Sequence, residues 1–127
     1  MKKNKRKLLE QDNLKLWALC VKKEAEYKCF LCGNKHEASA LDAHHIFTKG
    51  SCTNLKYDLN NGVCLCKGCH RFKVHMHVCP ILVPNLIARR GEEWMSDLLS
   101  KKVLPPIRRS ISDLEDINVY LKEEFGC

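Results

Sequence analysis

Two C-x2-C pairs, Cys29/Cys32 and Cys66/Cys69, constrain this chain more than any other feature. Each pair fits a knuckle that turns sharply and offers two sulfurs to one ion. Knuckles this far apart suit a closed tetrahedral zinc site of four thiolates, which pulls two distant segments onto one point. Structural zinc supplies roughly 10–16 kcal/mol of apparent binding energy that becomes folding energy. Cys64 is a rival ligand, because strand alternation would put it on the same face as Cys66. The matched spacing and the glycine at each turn (Gly33, Gly68) favour Cys66 and Cys69. Cys20 reads as a small buried hydrophobe beside an apolar stripe. Cys52 could be a zinc ligand but lies outside either knuckle and is left free; Cys79 and Cys127 have no partner pattern.

Nine cysteines in 127 residues would also suit a secreted disulfide scaffold. The odd count and the knuckle spacing point instead to thiolate ligands in a reducing cytosol. The basic start, Met1 to Lys7, is followed by no apolar stretch with a small-residue cleavage site, so it does not read as a signal peptide. No apolar run is long enough to span a bilayer. The expected location is therefore the cytoplasm, away from membranes. A net charge of +7 with a pI near 9.0 favours a polyanionic partner, nucleic acid first.

The length suits one domain, 1–127, in four stretches. Residues 1–7 read as a flexible basic arm that adds sequence-independent phosphate contacts to a nucleic-acid enzyme. Residues 8–27 read as a helix with Leu14, Trp17, Ala18, Val21 and Ala25 on one face, Trp17 being a core anchor. Residues 28–78 hold the knuckles and the histidines. Within them, Ala40 to Phe47 reads as a strand, Thr48 to Asn60 as a polar loop, and Asn61-Gly62 as a turn signal before the strand Val63 to Leu65. A helix from Arg71 to His77 would place His70 in its first turn. Residues 79–127 form a helical cover without chemistry. Pro84 to Gly91 and Glu92 to Lys102 are its first helices, and Ser112 to Glu115 is a capping box opening a last helix to Phe125.

Chemistry points to the histidines. His44 and His45 are adjacent, so a strand sends them to opposite sides and gives them different tasks. Phosphodiester hydrolysis needs an activated water and charge stabilisation on the phosphate. A histidine of ordinary pKa, near 6.5, accepts a proton at neutral pH, which suits His45. His44 and His70 suit a divalent ion that keeps positions open for water and phosphate. His36 reads as a loop histidine, and Lys49, Lys56 and Tyr57 could touch a phosphate backbone from the polar loop.

The run Leu41-Asp42-Ala43-His44-His45-Ile46, Asn61, and Leu65-Cys66-x2-Cys69-His70 resembles the HNH endonuclease motif, and more narrowly the small zinc-knuckle HNH proteins of phages and prophages. The resemblance implies an α+β, mainly helical protein: a ββα-metal core with a structural four-cysteine zinc site, flanked by N- and C-terminal helices. It implies a metal-dependent endonuclease, a phosphodiester hydrolase leaving 5′-phosphate and 3′-hydroxyl ends, in a bacterial or phage-infected cell. It makes His45 the general base, His44 and His70 ligands of the catalytic ion, and Asn61 the residue that keeps the base in position. His75 matches a further histidine that contacts metal or phosphate; His77 is extra. The implied chemistry makes Lys49, Lys67, Arg71 and Lys73 candidates for holding the DNA backbone with little sequence preference. Many relatives have Asp where this chain has His44, so metal preference could shift from Mg2+ toward Mn2+, Zn2+ or Ni2+.

DNA is thus the expected partner. Cutting of both strands by a single-site enzyme would suggest a homodimer or sequential nicks, and phage packaging proteins enter through the resemblance alone. The alternative is a non-catalytic zinc module that binds DNA or protein. A redox or zinc-storage role fits less well, because C-x2-C occurs as a matched pair. Strand preference, sequence preference and pathway are not legible.

Overall fold

The computed structural model describes residues 2–48, 53–71 and 82–126, with the side chains of Lys2 and Lys3 left aside. Lys49, Cys52, Lys73, His75, His77, Cys79 and Cys127 lie outside the described residues, as does most of the helix expected over 71–77.

Helix α1, Lys2–Glu24, is a run of Lys, Arg, Leu, Glu and Gln without a Gly or Pro, which favours the helix throughout. The residues expected to be a flexible arm are its first turns instead. They are good helix formers, continuous with an amphipathic run, and Lys5 and Arg6 meet Glu115 and Glu10 at 3.8 and 3.7 Å. The buried face is Asn13, Leu16, Trp17, Cys20 and Val21, at helical spacing. Leu14, Ala18 and Ala25 from the expected stripe lie half-buried at its flanks. Glu26 and Tyr27, at φ of 55° and 59°, then turn the chain toward the first knuckle.

Strands β1, Leu41–His45, and β2, Gly62–Cys66, form a two-stranded antiparallel sheet in the register Leu41↔Cys66 to His45↔Gly62. Residues 46–61 separate the two strands, so Asn61 and Gly62 do not make a tight hairpin turn. Gly62 has another reason to be glycine. A Cβ there would lie 2.5 Å from Val21 Cγ2 and 2.8 Å from Trp17 Cζ2, so the missing side chain lets β2 press against α1. Every residue of β2 is buried. After Cys66 the chain is helical over residues 67–71.

Helices α2, Leu82–Arg90, and α3, Glu92–Lys102, meet at Gly91, whose φ of 97° needs a glycine. Leu82 and Leu86 of α2 join the main core with Trp17, Leu41, Val63 and Leu65. Leu98 of α3 and Leu55 form a second, smaller core flanked by Phe47 and Trp94. Leu98 of α3 is fully buried, whereas its neighbour Leu99 is 44% exposed.

Helix α4, Ile111–Phe125, is capped by Ser110 and Asp113, each bonding the other's backbone. The capping box therefore starts two residues before the expected Ser112, because Ser110-x-x-Asp113 is an equally good pattern. Helix α4 lies along α1 through polar contacts. Asn13 Nδ2 donates to Leu114 O at 3.0 Å, Asn118 Nδ2 donates to Asn13 Oδ1 at 2.9 Å, and the Cys20 thiol donates to Leu121 O at 3.3 Å. Among the described residues, no helix is long and apolar enough to cross a membrane.

Candidate metal centre and histidine site

The two knuckles converge. The sulfurs of Cys29, Cys32, Cys66 and Cys69 all lie within 4.8 Å of one another. Cys32 Sγ and Cys66 Sγ are 3.9 Å apart, close to the roughly 3.8 Å edge of a tetrahedron with Zn–S bonds of about 2.3 Å. Each knuckle repeats one local bond: Cys32 N–H points at Cys29 Sγ at 3.5 Å, and Cys69 N–H at Cys66 Sγ at 3.4 Å. Amide protons aimed at sulfur stabilise a thiolate. Gly33, at φ 74°, closes the first turn through Gly33 N–H to Cys29 O at 2.8 Å.

Electrostatics point the same way. Burial works against ionising Cys29, yet backbone amides of Cys32 and Cys66 outweigh it and bring the thiol down to about 7. Burial, with Cys66 and Cys29 alongside, pushes Cys69 up to about 12. Four crowded thiols thus cannot all ionise unaided, and a divalent cation is what lets them. The donor set fits a structural zinc ion. Cys64 lies outside this converging group of four; it is buried on β2, where burial raises its thiol to about 11. His36 Nε2 lies 3.9 Å from Cys32 Sγ, beside the cluster.

The adjacent histidines go to different neighbours, as β alternation requires. The His45 ring stacks flat on Trp17, centroids 3.8 Å apart and planes 8° from parallel. His45 Nε2 is 2.9 Å from Lys56 O. A carbonyl only accepts, so Nε2 carries the hydrogen and the neutral ring has its lone pair on Nδ1. Trp17 is fixed in turn, its Nε1–H donating to Asp58 O at 2.9 Å.

His44 turns to the helical residues after β2. Its Nδ1 lies 3.1 Å from His70 Nε2, and His70 Nδ1 donates to Asp42 Oδ2 at 3.0 Å. Burial opposes the Asp42 charge, but Lys67 at 2.9 Å and His70 more than offset it and hold the carboxyl below its ordinary range. Asp42 and His44 share a strand face, so Asp42 is a site residue that alternation alone could have revealed.

Asn61 is fully buried and closes the 46–61 loop. Its Oδ1 accepts from Phe47 N at 2.9 Å, and its Nδ2 donates to Phe47 O at 2.9 Å and Leu55 O at 3.1 Å. Helix α3 holds the same loop from outside. Asn54 Nδ2 donates to Lys101 O at 3.0 Å, Lys101 Nζ pairs with Asp58 at 2.8 Å, and Trp94 Nε1 donates to Asn60 O at 2.8 Å. Of the candidate DNA contacts, Lys67 is on the surface but tied to Asp42, and Arg71 is exposed.

Fold and site together define a small, mainly helical α+β protein whose two-stranded sheet is clamped by a four-cysteine cluster able to hold a metal ion. The family model of the bacteriophage lambda NinG protein matches residues 1–125, and the chain belongs to that family. No curated protein and no solved structure matches it.

The match corrects the assignment to the HNH endonucleases, since it is the NinG family, not an HNH family, that covers the chain. The HNH resemblance rests on a few spaced residues between Leu41 and His70. Nor do the described residues establish a ββα-metal core: they hold the hairpin and one helical stretch, 67–71. The phage character implied by the resemblance does agree with the family.

Proposed function

We propose that this protein is a metal-dependent nuclease that hydrolyses phosphodiester bonds in DNA. One observation carries the reading: His44 Nδ1 and His70 Nε2 lie 3.1 Å apart, with Asp42 behind His70 and His45 next in the chain. Two imidazole nitrogens at that separation are close enough to hold one divalent ion between them. A carboxylate behind a ligating imidazole fixes its tautomer and raises its basicity. A divalent ion on His44 and His70 (Mg2+, Mn2+, Ni2+ or Zn2+) supplies charge stabilisation for the phosphate and the leaving oxygen. The four cysteines hold a separate, structural zinc.

His45 Nδ1 takes a proton from a water as its oxygen bonds to phosphorus. The bond from phosphorus to the 3′ oxygen breaks, and that oxygen gains a proton from solvent. The products carry 5′-phosphate and 3′-hydroxyl ends. Trp17 and the Lys56 carbonyl hold the base ring in plane, and Asn61 holds the loop that supplies the carbonyl. Lys67 and Arg71 favour backbone contact without sequence preference.

Supercoiled plasmid is incubated with wild type and His45→Ala, each with bound zinc, under added Mg2+, Mn2+ or Ni2+. Metal-dependent nicking that falls at least about 100-fold in the variant is expected. Equal cutting by both removes His45 from the reaction. The His44–His70 distance equally suits a direct N–H···N bond, which favours a second reading, a zinc-stabilised module that binds DNA or protein without cutting. Absence of cutting under every metal would select it.

A further inference from the structure

Away from the histidines, a cavity of about 340 Å³ lies between α1, the turn at residues 53–57 and the segment leading into α4. Arg6, Lys56, Arg108 and Arg109 stand in its wall, opposed by Glu10. Tyr57 also lines it and is only 7% exposed. The Tyr57 hydroxyl is the one buried side-chain oxygen or nitrogen among the described residues with no hydrogen-bond partner. Buried hydroxyls without a partner are rare and call for an explanation. Burial above all pushes this phenol up to about 12, and the charges that also act on it, Glu10, Arg109 and Arg6, belong to residues lining the same cavity. Arg109 and Lys56 also sit over the Tyr57 ring, at 5.1 and 5.4 Å from its centroid.

We propose that this cavity binds a phosphate group of a DNA strand, with Tyr57 donating its hydroxyl hydrogen to a phosphate oxygen and the arginines surrounding the charge. The proposal rests on the reading of DNA as the partner. A planar guanidinium meets two phosphate oxygens at once, and a hydroxyl donor adds a third contact, so a tetrahedral oxyanion suits this set better than a single carboxylate does. Lys56 links the cavity to the histidines. Its carbonyl receives the His45 Nε2 hydrogen at 2.9 Å while its side chain lines the cavity. The held phosphate therefore sits beside the segment that fixes His45, and the cavity acts as an anchor one step from the candidate chemistry. Helix α1 supplies Arg6, which gives the basic N-terminal residues a fixed place in the site.

The test uses the full, zinc-loaded chain in a His45→Ala background, so that the probe stays intact. A fluorescent duplex oligonucleotide is titrated at several salt concentrations. The double variant Arg108→Gln/Arg109→Gln is expected to raise Kd about tenfold and to lower the salt slope by about one to two. Tyr57→Phe is expected to raise Kd several-fold with an unchanged or higher urea midpoint, since it removes a hydroxyl that only the ligand satisfies. Unchanged Kd and slope in the double variant, at an intact urea midpoint, overturn the proposal. Inorganic phosphate is titrated in parallel. Tight phosphate binding that the double variant abolishes, with duplex Kd unmoved, assigns the cavity to free phosphate and overturns the DNA assignment. Cleavage by the His45 protein separates the two readings. Duplex binding lost in the double variant, while no metal supports cutting, upholds the anchor and sinks the nuclease. Metal-dependent cutting with KM unmoved by the double variant does the reverse.

Discussion

The thiolate cluster and the histidine site use the same hairpin but are built in opposite ways. The cysteine cluster is nearly self-contained. Each knuckle makes its own amide–sulfur bond over three residues, and convergence needs only that β2 lie next to the first knuckle, where Phe30 N–H meets Cys64 O at 2.9 Å. The histidine site borrows from everywhere. His45 depends on Trp17 of α1 and on Lys56 O, and the loop carrying Lys56 depends on Asn61 inside and α3 outside. A closed structural site can be specified by local spacing. An open site with fixed ring planes and tautomers needs the rest of the fold as scaffold.

Changes at the two sites should therefore fail differently. Cys66→Ser has the largest expected effect. It removes one of four ligands, and with structural zinc contributing on the order of 10 kcal/mol the variant should lose its metal and its cooperative unfolding transition. Metal analysis with circular dichroism reads both, and a folded variant retaining one zinc per chain would break the four-thiolate assignment. Gly62→Ala comes next. Its Cβ would collide with Val21 and Trp17, so a loss of about 1–3 kcal/mol by urea unfolding is expected, with zinc retained and cutting lowered through the displaced Trp17. An unchanged urea midpoint would show that α1 and β2 separate easily. Asn54→Ala should be the mildest. It removes bonds to Lys101 O and to Ile107 N–H, costing about 1 kcal/mol, with full zinc but a lower cleavage rate. A rate equal to wild type would mean that α3 does not help position His45.

The same contrast explains what could be read from the sequence. Cys29, Cys32, Cys66 and Cys69 were legible because ligand spacing is a local pattern. Cys64 was a real rival until the convergence of the other four sulfurs left it out. Helix α3 was legible from its apolar periodicity and flanking Gly91. The start of α4 was less so, because Ser110 and Ser112 both begin plausible caps. Asn13 and Asn118 interrupt apolar stripes, and their reason lies more than 100 residues away in the partner helix. Gly62 looked like a turn residue, since close backbone packing leaves no other mark. The Lys56 carbonyl that orients His45 is a backbone atom, and no residue type announces it. Nor does spacing announce the cavity around Tyr57, whose cations come from three separated segments.

The polar seam between α1 and α4 also has a consequence in time. Asn13 and Cys20 are made about 100 residues before the Leu114 and Leu121 carbonyls they bond. At about 5–20 residues per second on the ribosome, this face of α1 waits roughly 5–20 seconds for its partner. The hairpin and its cysteines emerge well inside that interval. Metal capture can thus cover Trp17 and Val21 first and leave α4 to close last over a face whose polar groups tolerate the wait.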